Sequence, residues 1–215
     1  MATFGELQVK ASARLKDVNN TAVSASDVAD VINDAIAQWK LKRFWFNEFE
    51  ETVTLVQNDP ILPALPNGVI PLEIFQEDGI VINYAQSRWP VRKISGSEYD
   101  DMNVQGRGIP YAFTQRDDEV ELYWYPDAAY SAVVRGLKDY TRFATNGTQN
   151  NLSNDFTINA PDLILYETLA RLFGEFRQDT KMENYYAARA TNQYWNLQRR
   201  TRKALKTGRM RVEGF

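Results

Sequence analysis

The chain has 215 residues, 44% of them hydrophobic and 13% aromatic, a formal net charge of −3, and neither cysteine nor histidine. Those two absences exclude disulfides, thiolate nucleophiles, zinc-thiolate sites and every Ser-His-Asp or Cys-His mechanism, leaving an enzyme only carboxylate, Lys, Tyr or Ser-Lys chemistry. No apolar run approaches the ~20 residues of a bilayer span, and the charged N-terminal stretch lacks the apolar core of a secretory signal, so a soluble chain is expected and the Asn-x-Ser/Thr matches at Asn19, Asn146 and Asn151 carry no weight.

From the N-terminus, Thr3-Phe4-Gly5-Glu6 has capping-box spacing, and Phe4, Leu7, Ala11, Leu15 and Val18 recur at three-to-four spacing, which predicts a helix over about 3–18. Asn19-Asn20-Thr21 breaks it. Ser24-x-x-Asp27 caps a second helix, about 24–42, with Val28, Val31, Ile32, Ala35, Ile36 and Trp39 on one stripe that reads as core or subunit contact. The period then changes to two: Phe49, Glu51, Val53 and Leu55 alternate with Glu50, Thr52, Thr54 and Val56, as in a strand.

Asn58-Asp59-Pro60, Pro63, Pro66, Asn67-Gly68 and Pro71 mark loops, and Gly79–Tyr84 is a β-rich run. "RWPVRKIS" is another, which Pro90 confines to an edge or a bulge, and Ser97–Met102 reads as a short helical turn. Tyr111–Thr114 and Val120–Tyr125 flank a polar turn at Arg116-Asp117-Asp118-Glu119, and Tyr130, Ala132 and Val134 alternate with Ser131, Val133 and Arg135, predicting an antiparallel meander. Ala144–Asn159, rich in Asn, Thr and Ser, is expected to be an irregular exposed loop.

Asn159 with Asp162 three residues on, and Pro161 in the first turn, starts a third helix, about 160–177. Thr180-x-x-Glu183 caps a fourth, about 181–204. The order of helices, strands and helices predicts an α+β fold: a bundle of N- and C-terminal helices in one domain, 1–205, a β-rich insertion at about 49–140, and an extended arm, 206–215.

Three clusters of acids stand out, at Asp117-Asp118-Glu119-Glu121, Glu48-Glu50-Glu51 and Asp100-Asp101. A glycosidase needs two carboxyl groups about 5–10 Å apart, but the first cluster reads as a solvated turn and the second as the outward face of a strand. No Asp-x-Asp-x-Asp-Gly loop is present for Ca or Mg, and Gly106-Arg107-Gly108-Ile109-Pro110 lacks the spacing of a phosphate-binding loop, so no catalytic residue, metal or cofactor is assigned. Tyr123, Trp124, Tyr125 and Tyr130 could stack bases, but no cations interleave, and strand alternation puts half of them in a core.

The C-terminus differs. From Gln198 to Phe215 seven basic residues stand against Glu213, a charge of +6 that leaves −9 for the remainder. An acidic body with one basic arm is not the charge distribution of a general nucleic-acid binder. The helix macrodipole accounts for Arg199–Lys203, and a solvated helix end is the plain reading of that stretch. Met210, Val212 and Phe215, apolar residues beyond Gly208, fit docking on another protein better, and nine residues could reach roughly 30 Å if extended.

In the order of its parts, "RFWFNEFEETVTL", then "GIPYAFTQRDDEVELYWYPDAAY", then "APDLILYETLARLFGEFRQDTKMENYYAARATNQYWNL", nearly the whole chain resembles the head-to-tail adaptor proteins of tailed bacteriophages. The resemblance implies a structural virion protein at the head-tail junction, assembled in the host cytoplasm as a homo-oligomeric ring, typically of twelve copies. It implies a portal protein above, a tail or nozzle protein below, and genomic DNA passing through the lumen without sequence-specific binding. Residue by residue, it suggests Lys206, Arg209, Met210, Arg211, Val212 and Phe215 as the portal-docking arm and Arg116, Asp117, Asp118 and Glu119 as a tail-facing segment. The competing reading is a nucleic-acid accessory protein that grips phosphate with the arm, and a carboxylate enzyme comes third.

Overall fold

A computed structural model describes residues 2–16, 23–102, 106–116 and 119–212, with the helical backbone alone from 205 to 212. The chain divides into two compact units, one comprising 1–47 and 140–215 and the other 48–139. The architecture is α+β, with all but one of the described α-helices in the first unit and all the described strands in the second.

In the helical unit, α1 (Phe4–Leu15) opens with the full capping box of Thr3 and Glu6 and closes on Lys16 in the left-handed conformation. Its buried face is Phe4, Leu7, Ala11 and Leu15, four of the five residues expected from spacing, while Val18 and the break at Asn19-Asn20-Thr21 lie outside the described residues; full burial of each of the larger side chains is worth about 1.5–3 kcal/mol. α2 (Ala25–Trp39) likewise starts at a capping box, Ser24 with Asp27, and buries Val28, Val31, Ile32, Ala35, Ile36 and Trp39. It stops three residues short of the expected end because Asn47, fully buried, turns the chain: its Oδ1 accepts from the Phe44 N–H (2.8 Å) and its Nδ2 donates to the Lys42 (2.8 Å) and Lys40 (3.3 Å) carbonyls. That turn brings Phe44 and Phe46 into parallel stacking, with Phe156 edge-on to both.

The segment expected to be an exposed loop is tied down. The carbonyls of Leu152 and Asn150 accept from the Phe4 and Gly5 N–H groups, both at 2.9 Å, satisfying two of the donors that the first turn of α1 leaves open. Asp155–Asn159 is a short helix, α4, capped by Asn154 and Thr157, with Phe156 and Thr157 buried. α5 (Pro161–Glu175) follows directly, with Pro161 in its first turn as expected; Asn159 does not cap it but donates to the Asp155 carbonyl within α4. α5 packs on α6 (Thr180–Val212), α2, α1 and α4, so it is the central helix of the unit.

The last helix, α6, runs from Thr180 to Val212. Its cap is Asp179, whose Oδ1 accepts from the Met182 N–H (3.1 Å), rather than Thr180. Where an extended arm was expected from Lys206, the backbone stays helical through Gly208 to Val212. Elongating an existing helix adds one bond per residue fixed, and Lys, Arg, Ala and Leu favour it, so the ~1 kcal/mol disadvantage of one glycine does not break it.

In the second unit a seven-stranded sheet has the order β1-β9-β3-β4-β6-β7, with β2 also paired to β9: β1 (Glu48–Thr54), β2 (Pro71–Ile74), β3 (Ile80–Tyr84), β4 (Ser87–Lys93), β6 (Ala112–Arg116), β7 (Glu119–Tyr123) and β9 (Ser131–Lys138). The short pair β5 (Arg107–Gly108) and β8 (Tyr125–Pro126) is separate and parallel. Two expectations are corrected here. The sheet is mixed, because β4 and β6 run parallel through Arg92↔Ala112 and Lys93↔Phe113, joined by a connection containing α3 (Gly96–Asp101). A parallel pair needs such a crossover. Nor is β9 the third strand of a meander after β6 and β7; it lies between β1 and β3, antiparallel to both. Pro90 falls where β4 has only β3 beside it, so its missing N–H costs no ladder bond. The core of the unit is Phe49, Val53, Leu55, Ile74, Ile80, Ile82, Val91, Phe113, Leu122, Ala132 and Val134 among others.

Candidate docking elements

All of the chain's net negative charge is in the β unit: residues 48–139 hold sixteen acids against seven bases, −9, while the helical unit is +6. The +6 equals the charge from Gln198 to Phe215, so the rest of the helical unit is neutral.

α6 presents that basic end. Tyr186, Ala190, Leu197 and Thr201 form its buried stripe, and Thr201 Oγ1 bonds back to the Leu197 carbonyl (3.0 Å) while lying 3.4 Å from the Trp45 N–H. Gln198 donates to the Arg43 carbonyl (2.9 Å), which ties the helix to the turn after α2. Arg199, Arg200, Arg202 and Lys203 stay exposed. Arg200 and Lys203, with Trp45 and Ala204, line an open recess of about 350 Å³; Arg200 also borders a polar recess of about 290 Å³ with Asn159, Asp162, Gln193 and Asn196. On the opposite side of the buried stripe, Trp195 is 52% exposed, and upstream the Arg189 guanidinium lies over the Tyr185 ring (4.8 Å) and the Tyr166 ring (5.6 Å). Those contacts, led by the bond to the Tyr166 hydroxyl, push the Arg189 pKa up.

Of the residues singled out for the arm, Lys206, Arg209, Met210, Arg211 and Val212 lie on the last turns of α6, and Phe215 lies outside the described residues. The tail-facing group is divided. Arg116, at the end of β6, is engaged within its own unit: it donates to Asp100 and to the Gly96 carbonyl (3.1 Å), and its guanidinium lies 5.5 Å over the Tyr99 ring. Asp117 and Asp118 lie outside the described residues, and Glu119 is exposed at the start of β7. β7 is not an open edge there, since Pro60–Leu62 runs along it, with Leu62 N–H donating to the Val120 carbonyl and Leu122 N–H to the Pro60 carbonyl.

The aromatics divide as alternation requires. Tyr123 and Tyr130 are buried, and Tyr130 donates to Asp127, a bond that pushes its phenol up to about 12. Trp124 is exposed, with φ +70°, and its indole lies flat enough on Gly106 that a Cβ there would come within 2.8 Å of the ring. That contact explains two glycines of the stretch that lacks phosphate-loop spacing: Gly106 and Gly108 are the seat of an indole.

No group of three or more acidic side chains placed to hold a metal ion occurs among the described residues. No described helix is long and apolar enough to cross a membrane. The chain combines a helical unit with a basic end and an acidic β unit.

A comparison with curated proteins returns no match. The family model described as SU10 adaptor protein matches residues 2–213, nearly the whole chain and both units. The chain therefore belongs to the SU10 adaptor protein family, structural adaptors of the bacteriophage virion.

Proposed function

We propose that the protein is one subunit of a ring, dodecameric as in the adaptors it resembles, that joins the portal of the capsid to the tail and forms part of the DNA conduit. The observation that carries this reading is the family match across 2–213, which takes in the basic end of α6 as well as the β unit. The end of α6, with Lys206, Arg209, Met210, Arg211 and Val212 followed by Phe215, docks on the portal; an aromatic in a pocket is the usual anchor of such a contact. The β unit faces the tail or nozzle protein, with Arg116, Asp117, Asp118 and Glu119 as its tail-facing segment. A β unit of −9 suits a conduit, because acidic walls repel phosphate and let DNA slide where basic walls would hold it. The ring sits at the head-tail junction and is assembled in the host cytoplasm; no enzymatic step is involved.

Electron microscopy of the protein mixed with its cognate portal tests this, with a variant ending at Thr207 beside it. Rings stacked coaxially on the portal, lost or weakened by the truncation, support the reading. If neither form binds the portal while the full-length chain shifts DNA at low salt and not at high salt, the adaptor reading fails and the seven cations of the C-terminus are a phosphate grip.

A further inference from the structure

One element of the acidic β unit has the opposite charge. Gly79–Ser97, which holds the β3–β4 hairpin, contains Arg88, Arg92 and Lys93 and no Asp or Glu, so the rest of the unit carries sixteen acids against four bases. Arg92 and Lys93, at the base of the hairpin, are neutralised within the unit by Glu98 and Glu73. Arg88, near the tip, makes no ion pair with a described residue and is exposed. Beside it Trp89 is 48% exposed and Tyr84 51%, the latter held edge-on against Tyr130 at 5.3 Å.

Backbone geometry sets this tip apart as well. Its two turn residues, Ala85 and Gln86, both have positive φ, +48° and +64°. A two-residue hairpin turn with both φ positive selects Asn-Gly or Asp-Gly, because a Cβ is disfavoured there. Here neither residue is glycine, so the tip is strained, and strain of this kind collects at functional contacts. From Ser87 to Val91, β4 has β3 on one side and no strand on the other, so Arg88 and Trp89, opposite Asn83 and Ile82, lie on an open edge of the sheet, and the turn Tyr84–Ser87 projects past the pairing of β3 with β9.

We propose that the β3–β4 finger is the cationic, aromatic half of a head-to-tail contact between copies of this chain, received by the acidic surface of the β unit of the neighbouring copy. The inference rests on the ring reading above and supplies its contact. Within the β unit Glu77, Asp78, Asp101 and Glu119 are exposed and make no ion pair with a described residue, so acceptors for Arg88 are present on every copy. A patch joined to a different patch on the next copy is heterologous, the arrangement that closes into rings, whereas a self-matching patch yields a dimer. Trp and Arg are the residue types that dominate interface energetics. Phosphate is a poor occupant, because the finger is surrounded by a unit with a large acidic excess.

The test compares ring formation on the cognate portal, counted in micrographs, for the wild type, for Arg88→Glu/Trp89→Ala, and for the same pair placed on Ala85→Asn/Gln86→Gly, which relaxes the turn and keeps the hairpin folded. Circular dichroism and a cooperative melt establish that each variant is folded. The expected result is rings for the wild type and for Ala85→Asn/Gln86→Gly alone, and at least about a tenfold loss for both carriers of the Arg88 and Trp89 changes. Mixed equally with the wild type, the defective copy should also suppress closed rings, since it can receive a finger and cannot offer one. If the folded double variant still closes rings, the finger is not the contact and the ring reading stands; if it closes rings that no longer take up the tail protein, the finger faces the tail. If the wild type itself forms no ring on the portal, the ring reading and this inference fall together.

Discussion

Asn33→Ala in the middle of α2 is the sharpest test of how the helical unit is held. Asn33 is 3% exposed, on a stripe that is otherwise apolar, and its side chain reads both backbone groups of Phe143: Nδ2 donates to the carbonyl at 3.0 Å, and Oδ1 accepts from the N–H at 2.9 Å. Phe143 is where the chain has just re-entered the helical unit at residue 140, and its ring stacks on Phe4 at 4.5 Å. Truncation removes two buried hydrogen bonds and strands a donor and an acceptor. Each of the two stranded groups costs about 1–3 kcal/mol, so the expected loss is about 2–6 kcal/mol, a large share of the ~5–15 kcal/mol typical of a folded domain. Urea titration followed by circular dichroism at helix wavelengths measures it, with Asn184→Ala on the exposed face of α6 as a control expected within about 0.5 kcal/mol. A loss below about 0.5 kcal/mol for Asn33→Ala, with unchanged denaturant dependence, would refute the claim that this side chain stitches the returning segment to α2.

Tyr140 donates to Asp155 at 3.0 Å, and burial, then the Asp155 charge and that bond, raise its phenol pKa well above the ordinary value of about 10. The folded state therefore holds this proton more tightly than the unfolded state, so the contribution is complete below pH ~10 and is lost as pH rises beyond it; Tyr140→Phe should flatten the alkaline fall in stability, and an unchanged slope would remove Tyr140 as its cause. Gly208→Ala should favour the helical end of α6 by about 1 kcal/mol and, with that end docking as a helix, tighten portal binding up to about fivefold in a pull-down titration. Weaker binding would mean that the segment unwinds to dock. Ala85→Asn/Gln86→Gly should raise the melting temperature of the β unit through a gain of about 1–2 kcal/mol, since both residues sit at positive φ; a drop would mean that the observed turn is not the one the hairpin adopts.

Local chemistry was legible from residues alone. The capping boxes at Thr3 and Ser24, the buried stripes of α1 and α2, the helical turn at Ser97 and the split of buried and exposed aromatics between Tyr123 and Trp124 all follow from 3.6- and two-residue periods and from side chains that satisfy nearby backbone groups. Each of these involves residues within a few positions of one another. The α+β order and the charge imbalance of the C-terminus are readable for the same reason.

What tertiary structure decided is whatever depends on partners far along the chain. Strand alternation shows which face of β9 is buried and says nothing of its neighbours, which is why the parallel β4–β6 pair and the place of β9 between β1 and β3 differ from the expected meander. The Asn-rich stretch before α5 looked like solvent loop because its polar side chains suit one; its backbone carbonyls at Asn150 and Leu152 are claimed by the open N–H groups of α1 nearly 150 residues away. Asn33 and Asn47 carry no sequence signal of their role, since a polar residue on an apolar stripe becomes a clamp only when a particular backbone segment arrives to be clamped. Likewise three cations between residues 79 and 97 become a finger only when β3 and β4 pair and carry their turn past the pairing with β9, with Arg88 exposed and making no ion pair with a described residue and Trp89 half exposed in a unit of net negative charge.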